Sequence, residues 1–185
     1  TLSGQHYVKV VAPIAEGDVT LSASSFAYNG SNQKPAVTVT VDSAELEGGV
    51  DYTLTNEGGV GVGDYTVTVV GTGGYSGTVE KSFSITAKQI TEGNVTLAPS
   101  SFAYNGSNQK PTVTVTVGGN ELVSGTDYTL TNAGGSDLGD YTVTVVGTGN
   151  YEGTVEKSFS IVKADASITT PPTASAPIVK DAALS

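Results

Sequence analysis

The stretch SSFAYNGSNQKP occupies residues 24–35 and recurs without a change at residues 100–111. The repetition extends well beyond this stretch. At an offset of 76, residues 14–87 align with residues 90–163 without a gap, and of the 74 aligned pairs 55 are identical and 19 differ. Self-similarity at a fixed offset is the signature of a repeat architecture, in which each copy is one structural unit. The chain is therefore predicted to contain two copies of one small domain.

The differences between the copies are not spread evenly. They concentrate at residues 42–50, 57–62 and 74–76, which are rich in Gly, Asp, Asn and Ser, the residue types of turns. The stretches that stay identical are runs in which apolar and polar residues alternate. We interpret the identical runs as the framework of the domain and the divergent stretches as loops.

The alternating runs have the period of two that indicates β-strands. Residues 37–41 read VTVTV, and the run at 79–85 places Lys81 on an otherwise apolar face. No segment has a helical period, and SAELEG at 43–48 is predicted to be a hairpin loop rather than a helical turn. Several short strands in each copy predict an all-β fold: two tandem small antiparallel β-sandwich repeats arranged end to end.

The repeated twelve residues are predicted to form a hairpin. Phe26 and Tyr28 alternate on its first strand and are expected in the core. Asn29-Gly30 suits the positive φ angles of a tight turn, and Pro35 suits the beginning of the next strand. We interpret NGSNQK as a solvated structural turn, with a recognition loop as the alternative.

The composition excludes several kinds of chemistry. The chain has no Cys, its only histidine is His6, and all eight basic residues are Lys, so neither the usual zinc ligands nor an arginine clamp on phosphate can be assembled. The net charge of −10 disfavours nucleic acid as a partner. No apolar run approaches the roughly 18 residues that span a bilayer. Because the chain opens on Thr1 without a signal peptide, we interpret it as part of a longer protein.

Four motifs in a fixed order resemble a known family. FAYNG followed by QKP, then GxDYTL, GTGNYxG and KSFSI, are similar to bacterial immunoglobulin-like repeats of the MBG or YDG type, with YNG here in place of YDG. The resemblance covers about residues 14–163. It implies Ig-like sandwiches in tandem within a large adhesin-like protein on the bacterial cell surface, an extracellular setting, and no catalytic residues.

Under this resemblance the chain divides into four segments. Residues 12–87 and 88–163 are the two Ig-like repeats. Residues 1–11 are the last strand of a preceding unit or an N-terminal strand, because HYVKVVAPI at 6–14 aligns with SFSITAKQI at 82–90. Residues 164–185 leave the register, contain three prolines (Pro171, Pro172 and Pro177), and are predicted to be a linker or the start of a next unit.

The predicted function is a non-catalytic structural spacer or stalk. Its expected partners are the neighbouring repeats, and the chain is expected to be a monomer. The alternative is an adhesive module that binds glycan or a host surface protein through the loops at 42–50, 57–62 and 74–76. Tyr75 and Tyr151 lie at predicted turns and are the candidate ligand contacts, because exposed aromatic residues mark binding sites.

Other polar residues are given structural roles. Asp51 and Asp64, with their counterparts Asp127 and Asp140, directly precede Tyr-Thr and are predicted to cap turns rather than to act as acid and base. His6 is expected to be an ordinary surface residue. No cofactor is predicted, the alternative being calcium bound at the inter-repeat joint by Glu16, Asp18, Glu92 or Asn94. For Lys81 and Lys157, an isopeptide bond to Asn is the alternative to an ammonium group that reaches solvent.

Overall fold

The computed structural model describes residues 10–165. The predictions for residues 1–9 and 166–185, including the one for His6, lie outside this range. Each repeat contains nine strands and one short 3-10 helix. In repeat 1 these are β1 (Ala12–Pro13), the 3-10 helix (Glu16–Asp18), β2 (Val19–Leu21), β3 (Ser25–Ala27), β4 (Val37–Val41), β5 (Ala44–Glu45), β6 (Tyr52–Thr55), β7 (Gly63–Gly71), β8 (Tyr75–Ser76) and β9 (Thr78–Thr86).

Repeat 2 has the same elements in the same order. They are β10 (Lys88–Gln89), the 3-10 helix (Glu92–Asn94), β11 (Val95–Ala98), β12 (Ser101–Ala103), β13 (Thr112–Val117), β14 (Asn120–Glu121), β15 (Tyr128–Thr131), β16 (Gly139–Gly147), β17 (Tyr151–Glu152) and β18 (Thr154–Val162). No helix in the described part of the chain is long and apolar enough to cross a membrane.

Each repeat is built from two larger sheets and a two-stranded one, which is β1-β8 in repeat 1 and β10-β17 in repeat 2. In repeat 1 a three-stranded sheet has the order β2-β4-β5 and a four-stranded sheet the order β3-β9-β7-β6, and the corresponding strands of repeat 2 have the same orders. The predicted all-β fold of two sandwich-like repeats is confirmed. Most strand pairs are antiparallel, as predicted, but β3 runs parallel to β9 and β1 runs parallel to β8, which the sequence did not indicate.

The core lies between the two sheets. Val39 and Val41 of the three-stranded sheet pack in one buried cluster with Val69 and Val79 of the four-stranded sheet. A second cluster is formed by Val67, Phe83 and Ile85. Both clusters recur in repeat 2 at an offset of 76. The period-two runs therefore bury the face that their apolar residues define, as an alternating strand does when one face meets a second layer.

The hairpin predicted for residues 24–35 does not form. Phe26, on β3, pairs with Ile85 of the last strand, whereas β4 pairs with β2 and β5 in the other sheet. Asn29 does make the predicted turn, because its Oδ1 accepts the backbone N–H of Ser31 at 2.8 Å. The turn carries the chain from one sheet to the other instead of reversing it within one sheet. We call residues 28–36, and 104–111 in repeat 2, the crossing segment.

Residues 43–48, predicted to form a hairpin loop, do belong to a hairpin, but its turn lies at residues 42–43 and Ala44–Glu45 form its second strand. Strands β4 and β5 pair antiparallel through a two-residue turn in which Asp42 and Ser43 have φ angles of 50° and 68°. Positive φ at both central residues is the type I′ geometry that matches the twist of a hairpin. In repeat 2 the same turn is made by Gly118 and Gly119, with φ angles of 61° and 85°.

Candidate functional site: the joint between the repeats

The crossing segment is fastened inside its own repeat. Gln33 and Gly59 exchange two backbone hydrogen bonds of 2.8 and 2.9 Å, and Asn32 Nδ2 donates to the carbonyl of Glu57. Asn56 Nδ2 donates to the carbonyl of Pro35 at 2.8 Å. The counterparts of all these bonds are present in repeat 2. The repeated twelve residues therefore connect the two sheets of each repeat, and their polar side chains hold that connection.

The two repeats are connected by a very short link. Strand β9 ends at Thr86 and β10 begins at Lys88, so Ala87 alone lies between them. Strand β10 already belongs to repeat 2, because the backbone N–H of Lys88 donates to the carbonyl of Asn150 at 3.0 Å and β10 pairs with β17. A link of one residue between two hydrogen-bonded strands restricts how far one repeat can turn against the other.

Side chains of both repeats meet beside this link. The ring of Tyr28 packs edge-to-face against the ring of Tyr151, with centroids 5.5 Å apart and an interplanar angle of 81°. The backbone N–H of Val62 donates to Asn150 Oδ1 at 2.9 Å. We call these contacts, together with the link, the joint. An aromatic pair and a hydrogen bond each contribute about 1 kcal/mol, so the contacts hold the joint only modestly.

A cleft of about 230 Å³ opens at the joint. Tyr28 and Asn29 of repeat 1 line it together with residues of repeat 2 that carry both signs of charge, namely Lys88, Glu121 and Asp127. The ion pairs found within residues 10–165 are Lys81–Glu16 and Lys157–Glu92, so Lys88 has no carboxylate partner in that range. Its Nζ lies 3.2 Å from the point where a Cβ on Gly118 would stand, so the glycine leaves room for this side chain.

The environment of Tyr151 changes its acidity. Burial of the phenol, followed by the nearby Tyr28 and the carboxylate of Asp127, raises the pKa of Tyr151 above its usual value of 10.0. A phenol that is removed from water beside a negative charge resists ionisation. Tyr151 therefore remains neutral in the joint up to strongly alkaline pH.

The two predicted ligand contacts lie apart. Tyr151 is at the joint, whereas Tyr75 pairs with Ala12 at the opposite end of repeat 1. The expectation that both are exposed at turns is wrong: both lie in short strands, are half-buried and pack against the core of their repeats. Their role as ligand contacts stays a prediction.

The sequence did not indicate the joint residues Tyr28 and Asn150. Tyr28 has the alternation of a core residue, and it does pack against the second core cluster. Its counterpart Tyr104 has the same neighbours in sequence, yet 44% of it is exposed, because no repeat in the described range lies against it. A comparison of the copies at Asn150, where repeat 1 has Gly74, offered the one available signal.

The predicted carboxylate roles are confirmed for one pair. Asp51 and Asp127 each accept a backbone N–H, from Glu47 and Val123, through Oδ2 and so cap their turns. Asp64 and Asp140 instead lie within strands β7 and β16, paired with serines, so turn capping is wrong for them. Each is the second residue of its strand, after the glycine with which the strand begins, and it pairs with the neighbouring strand rather than forming a turn.

The residues named for calcium are spread over both repeats. Glu16 and Glu92 pair with Lys81 and Lys157 at 3.4 and 3.2 Å. The side chains of Asp18 and Asn94 each accept a hydrogen bond from the backbone N–H of the residue just before their own 3-10 helix, Ala15 and Thr91 respectively. Within residues 10–165 no group of three His, Cys, Asp or Glu side chains is placed to hold a metal. The ion pairs also show where the two lysines go: each ammonium faces a glutamate at the rim of the sandwich.

These features define the class of protein as a tandem-repeat β-sandwich protein whose repeats are in direct contact. A model of the MBG domain family matches residues 17–89 and 93–165, two ranges that begin 76 residues apart, as the copies do. The chain belongs to the MBG domain family and contains two tandem members, which confirms the family indicated by the motifs. Membership points to an extracellular or surface repeat protein, and the family is generally non-catalytic. No curated protein and no solved structure matches the chain.

Proposed function

We propose that the two repeats are a spacer, part of a stalk that holds other segments of a bacterial cell-surface, adhesin-like protein away from the cell. The observation that carries the proposal is the direct passage of β9 into β10 through Ala87, with the rings of Tyr28 and Tyr151 in contact beside it. A link of this kind transmits the direction of one repeat to the next, and the length of such an array follows from the number of copies.

The direction of β9 supports an extended arrangement. This strand begins just after Tyr75, which lies at the end of repeat 1 opposite the joint, and it ends at Thr86 beside the joint. Its nine residues span about 30 Å at the usual rise of a strand. The two repeats placed one after the other therefore extend over about 60 Å, and neighbouring repeats are the partners that this proposal requires.

Small-angle scattering tests the proposal. We expect the chain to be a monomer and an elongated particle, and we expect Tyr28→Ala to broaden the distribution of its lengths by loosening the joint. Tyr104→Ala is the matched control, because it removes the same residue from repeat 2, where no further repeat within residues 10–165 lies against it. A parent particle that is compact and folded back on itself would contradict the spacer role.

The same measurement in calcium and in chelator addresses the cofactor. We propose that the joint needs none, and we expect identical scattering curves in both conditions. A particle that lengthens only with calcium would overturn this and would place a metal at the joint, with Glu92 and Asn94 as the first residues to replace.

The cleft at the joint favours a second candidate function, adhesion to a glycan or to a host surface protein. It combines aromatic rings with polar groups and the ammonium of Lys88, which forms no ion pair within residues 10–165, and binding sites for polar ligands share such features. A glycan and matrix-protein array tests this candidate. Saturable binding that is lost in Lys88→Ala, a change outside the buried core, and in Tyr151→Ala would replace the spacer role with an adhesive one, whereas retention in Tyr75→Ala would assign the binding to the joint.

A further inference from the structure

The ring contact of the joint is made by tyrosines that both copies have, but its hydrogen bond and its charged side chain lie at positions where the copies differ. On the side of repeat 2, Asn150 and Lys88 stand where repeat 1 has Gly74 and Ala12. On the side of repeat 1, residues 61–62 are Gly-Val where repeat 2 has Asp-Leu at 137–138. The two facing ends are therefore not interchangeable with the two outer ends, although both copies have the same fold.

Asn150 supplies a contact that repeat 1 could not supply in its place. Its Oδ1 accepts the backbone N–H of Val62 at 2.9 Å. Gly74, at the same position of repeat 1, has no side chain to accept a hydrogen bond. If a unit of the repeat 1 type followed repeat 1, the N–H of Val62 would lack this partner.

Gly61 is matched to Asn150 from the other side. A Cβ on Gly61 would lie 3.4 Å from Asn150 Oδ1, which is the atom that accepts the Val62 hydrogen bond. Asp137 holds this position in repeat 2, so a unit of the repeat 2 type in front of repeat 2 would place the Cβ of an acidic side chain within contact distance of that oxygen. Two acceptors in contact repel each other unless a donor lies between them.

The N-terminal ends of repeat 1 and repeat 2 also differ in charge. Lys88 lies over Gly118 in the cleft, near Glu121 and Asp127. At the corresponding positions repeat 1 has Ala12 and three carboxylates, Asp42, Glu45 and Asp51. Lys88 of repeat 2 thus lines the cleft together with Asn29 and Gly30, whereas repeat 1 has the uncharged Ala12 at the position of Lys88.

We propose that the joint is order-specific: the downstream end of repeat 1 selects an N-terminal end of the repeat 2 type over one of its own type. The partner it fits is a unit that has Asn at the position of Asn150 and Lys at the position of Lys88, whereas the Tyr at the position of Tyr151 is common to both copies. The divergent loops at 57–62 and 74–76 thus determine which repeat docks onto which. This inference does not depend on whether the array serves as a spacer or as an adhesin.

Reciprocal exchanges test the proposal in the intact chain. Asn150→Gly gives repeat 2 the residue of repeat 1, and Gly61→Asp gives repeat 1 the residue of repeat 2, so each variant uses a side chain that the fold already accepts at that position. Their matched controls, Gly74→Asn and Asp137→Gly, make the opposite exchanges at the two outer ends. Residual dipolar couplings report whether the repeats share one orientation, and ring-to-ring nuclear Overhauser contacts report the Tyr28–Tyr151 pair.

We expect each joint variant to reduce the ratio of docked to undocked molecules by roughly two- to tenfold, the effect of one net hydrogen bond, and each control to leave the ratio unchanged. A chain in which a second copy of residues 12–87 replaces residues 88–163 should lose the shared orientation, and Asn at its second position 74 should restore part of it. The proposal is overturned if this chain, or Asn150→Gly, keeps the shared orientation and the ring contact of the parent. Amide spectra of the separate repeats identify any variant that has lost its fold.

Discussion

The crossing segment connects the two sheets within a repeat, and the joint connects the two repeats. Residues 28–35 of the crossing segment are identical in both copies, whereas several residues of the joint are not. Residues 24–35 are identical in both copies, and so are the partners Asn56 and Gly59 that hold the crossing segment. At the joint, the hydrogen bond from Val62 to Asn150 joins two positions that both differ between the copies. The side chains that hold the crossing segment are identical in both copies, whereas the hydrogen bond between the repeats depends on residues that diverge.

This difference follows from what each contact has to satisfy. A crossing segment meets the same surroundings in every copy, so one set of residues serves both. A joint has an upstream and a downstream side, and each copy presents a different one of its ends to it. Tyr28 and Tyr104 illustrate the point, because the same residue in the same local sequence is half-buried at the joint in one copy and 44% exposed in the other.

The largest effect is expected where the identical part is packed most tightly. A Cβ on Gly59 would overlap the ring of Tyr65, which cannot move away because its hydroxyl donates to the carbonyl of Gly61 at 2.7 Å and its ring stacks on Phe83. We expect Gly59→Ala to lower the free energy of unfolding of repeat 1 by about 3 kcal/mol, the upper end for overpacking. Urea unfolding measures it.

Two further variants make this prediction specific. Gly135→Ala should cost repeat 2 the same amount, because a Cβ there would overlap the ring of Tyr141 in the same way. Gly17→Ala is the control, since no atom lies within 4 Å of its added Cβ. Clearly unequal costs for Gly59→Ala and Gly135→Ala would break the claim that the identical parts of the copies have identical surroundings.

A smaller effect is expected for the amide that fastens the crossing segment. Asn56→Ala removes the hydrogen bond to the carbonyl of Pro35 and should cost repeat 1 about 1 kcal/mol in urea unfolding, the net value of one hydrogen bond. Removal of Asn56 Oδ1, which is buried without a hydrogen-bond partner, offsets part of the loss and keeps the cost from being larger. Asn132→Ala should have the same effect on repeat 2, whereas Asn29→Ala, which removes an exposed bond, should cost less.

Particular residues show how far the sequence could be interpreted. Alternation correctly placed Val39, Val67 and Phe83 in the core, because a strand with one buried face must alternate. Asn29-Gly30 correctly indicated a turn, but a turn signal is local and does not specify which strand follows in the same sheet. The pairing of Phe26 with Ile85 is decided by the assembly of both sheets, which no short motif encodes.

The contacts of the joint could not be predicted from the sequence for a related reason. Tyr28 and Tyr104 lie in the identical stretches 24–35 and 100–111. No property of these stretches therefore distinguishes Tyr28, which makes the contact, from Tyr104, which is exposed. What distinguishes them is the presence of Tyr151 in space, which depends on how one repeat is placed on the next. The divergence at Asn150 was visible, but the divergence alone did not show which group it would meet.

A divergent position away from the hydrogen bond of the joint should act only within its own repeat. Ser43 has a φ angle of 68°, a conformation that a serine adopts at some cost, while Gly119 holds the same turn position in repeat 2. We expect Ser43→Gly to stabilise repeat 1 by about 0.5 kcal/mol, because relief of this strain exceeds the entropy that glycine adds to the unfolded chain. The reverse change, Gly119→Ser, should destabilise repeat 2. A loss of stability in Ser43→Gly would show that the serine makes a contribution of its own.

The smallest effect concerns the joint and its dependence on pH. The pKa of Tyr151 is raised above 10.0, first by burial and then by Tyr28 and Asp127, so the docked joint favours the neutral phenol. Its contribution to docking is therefore fully present below about pH 10 and is lost as the pH rises through the raised pKa. We expect the Tyr28–Tyr151 ring contact to persist at neutral pH and to weaken as Tyr151 ionises in alkaline solution. The ring resonances of Tyr151, followed by NMR, measure both the titration and the contact.

Tyr28→Phe separates the causes of this shift. It removes the neighbouring hydroxyl but retains the ring, so the pKa of Tyr151 should fall toward its usual value without reaching it, because burial is the larger cause. Tyr104→Phe makes the same change at the outer end of repeat 2 and should leave the titration of Tyr151 unaltered. If Tyr151 titrated at its usual value in the parent chain, its phenol would be hydrated in solution. The joint would then be open in solution, and only the crossing segment would have a fixed set of contacts.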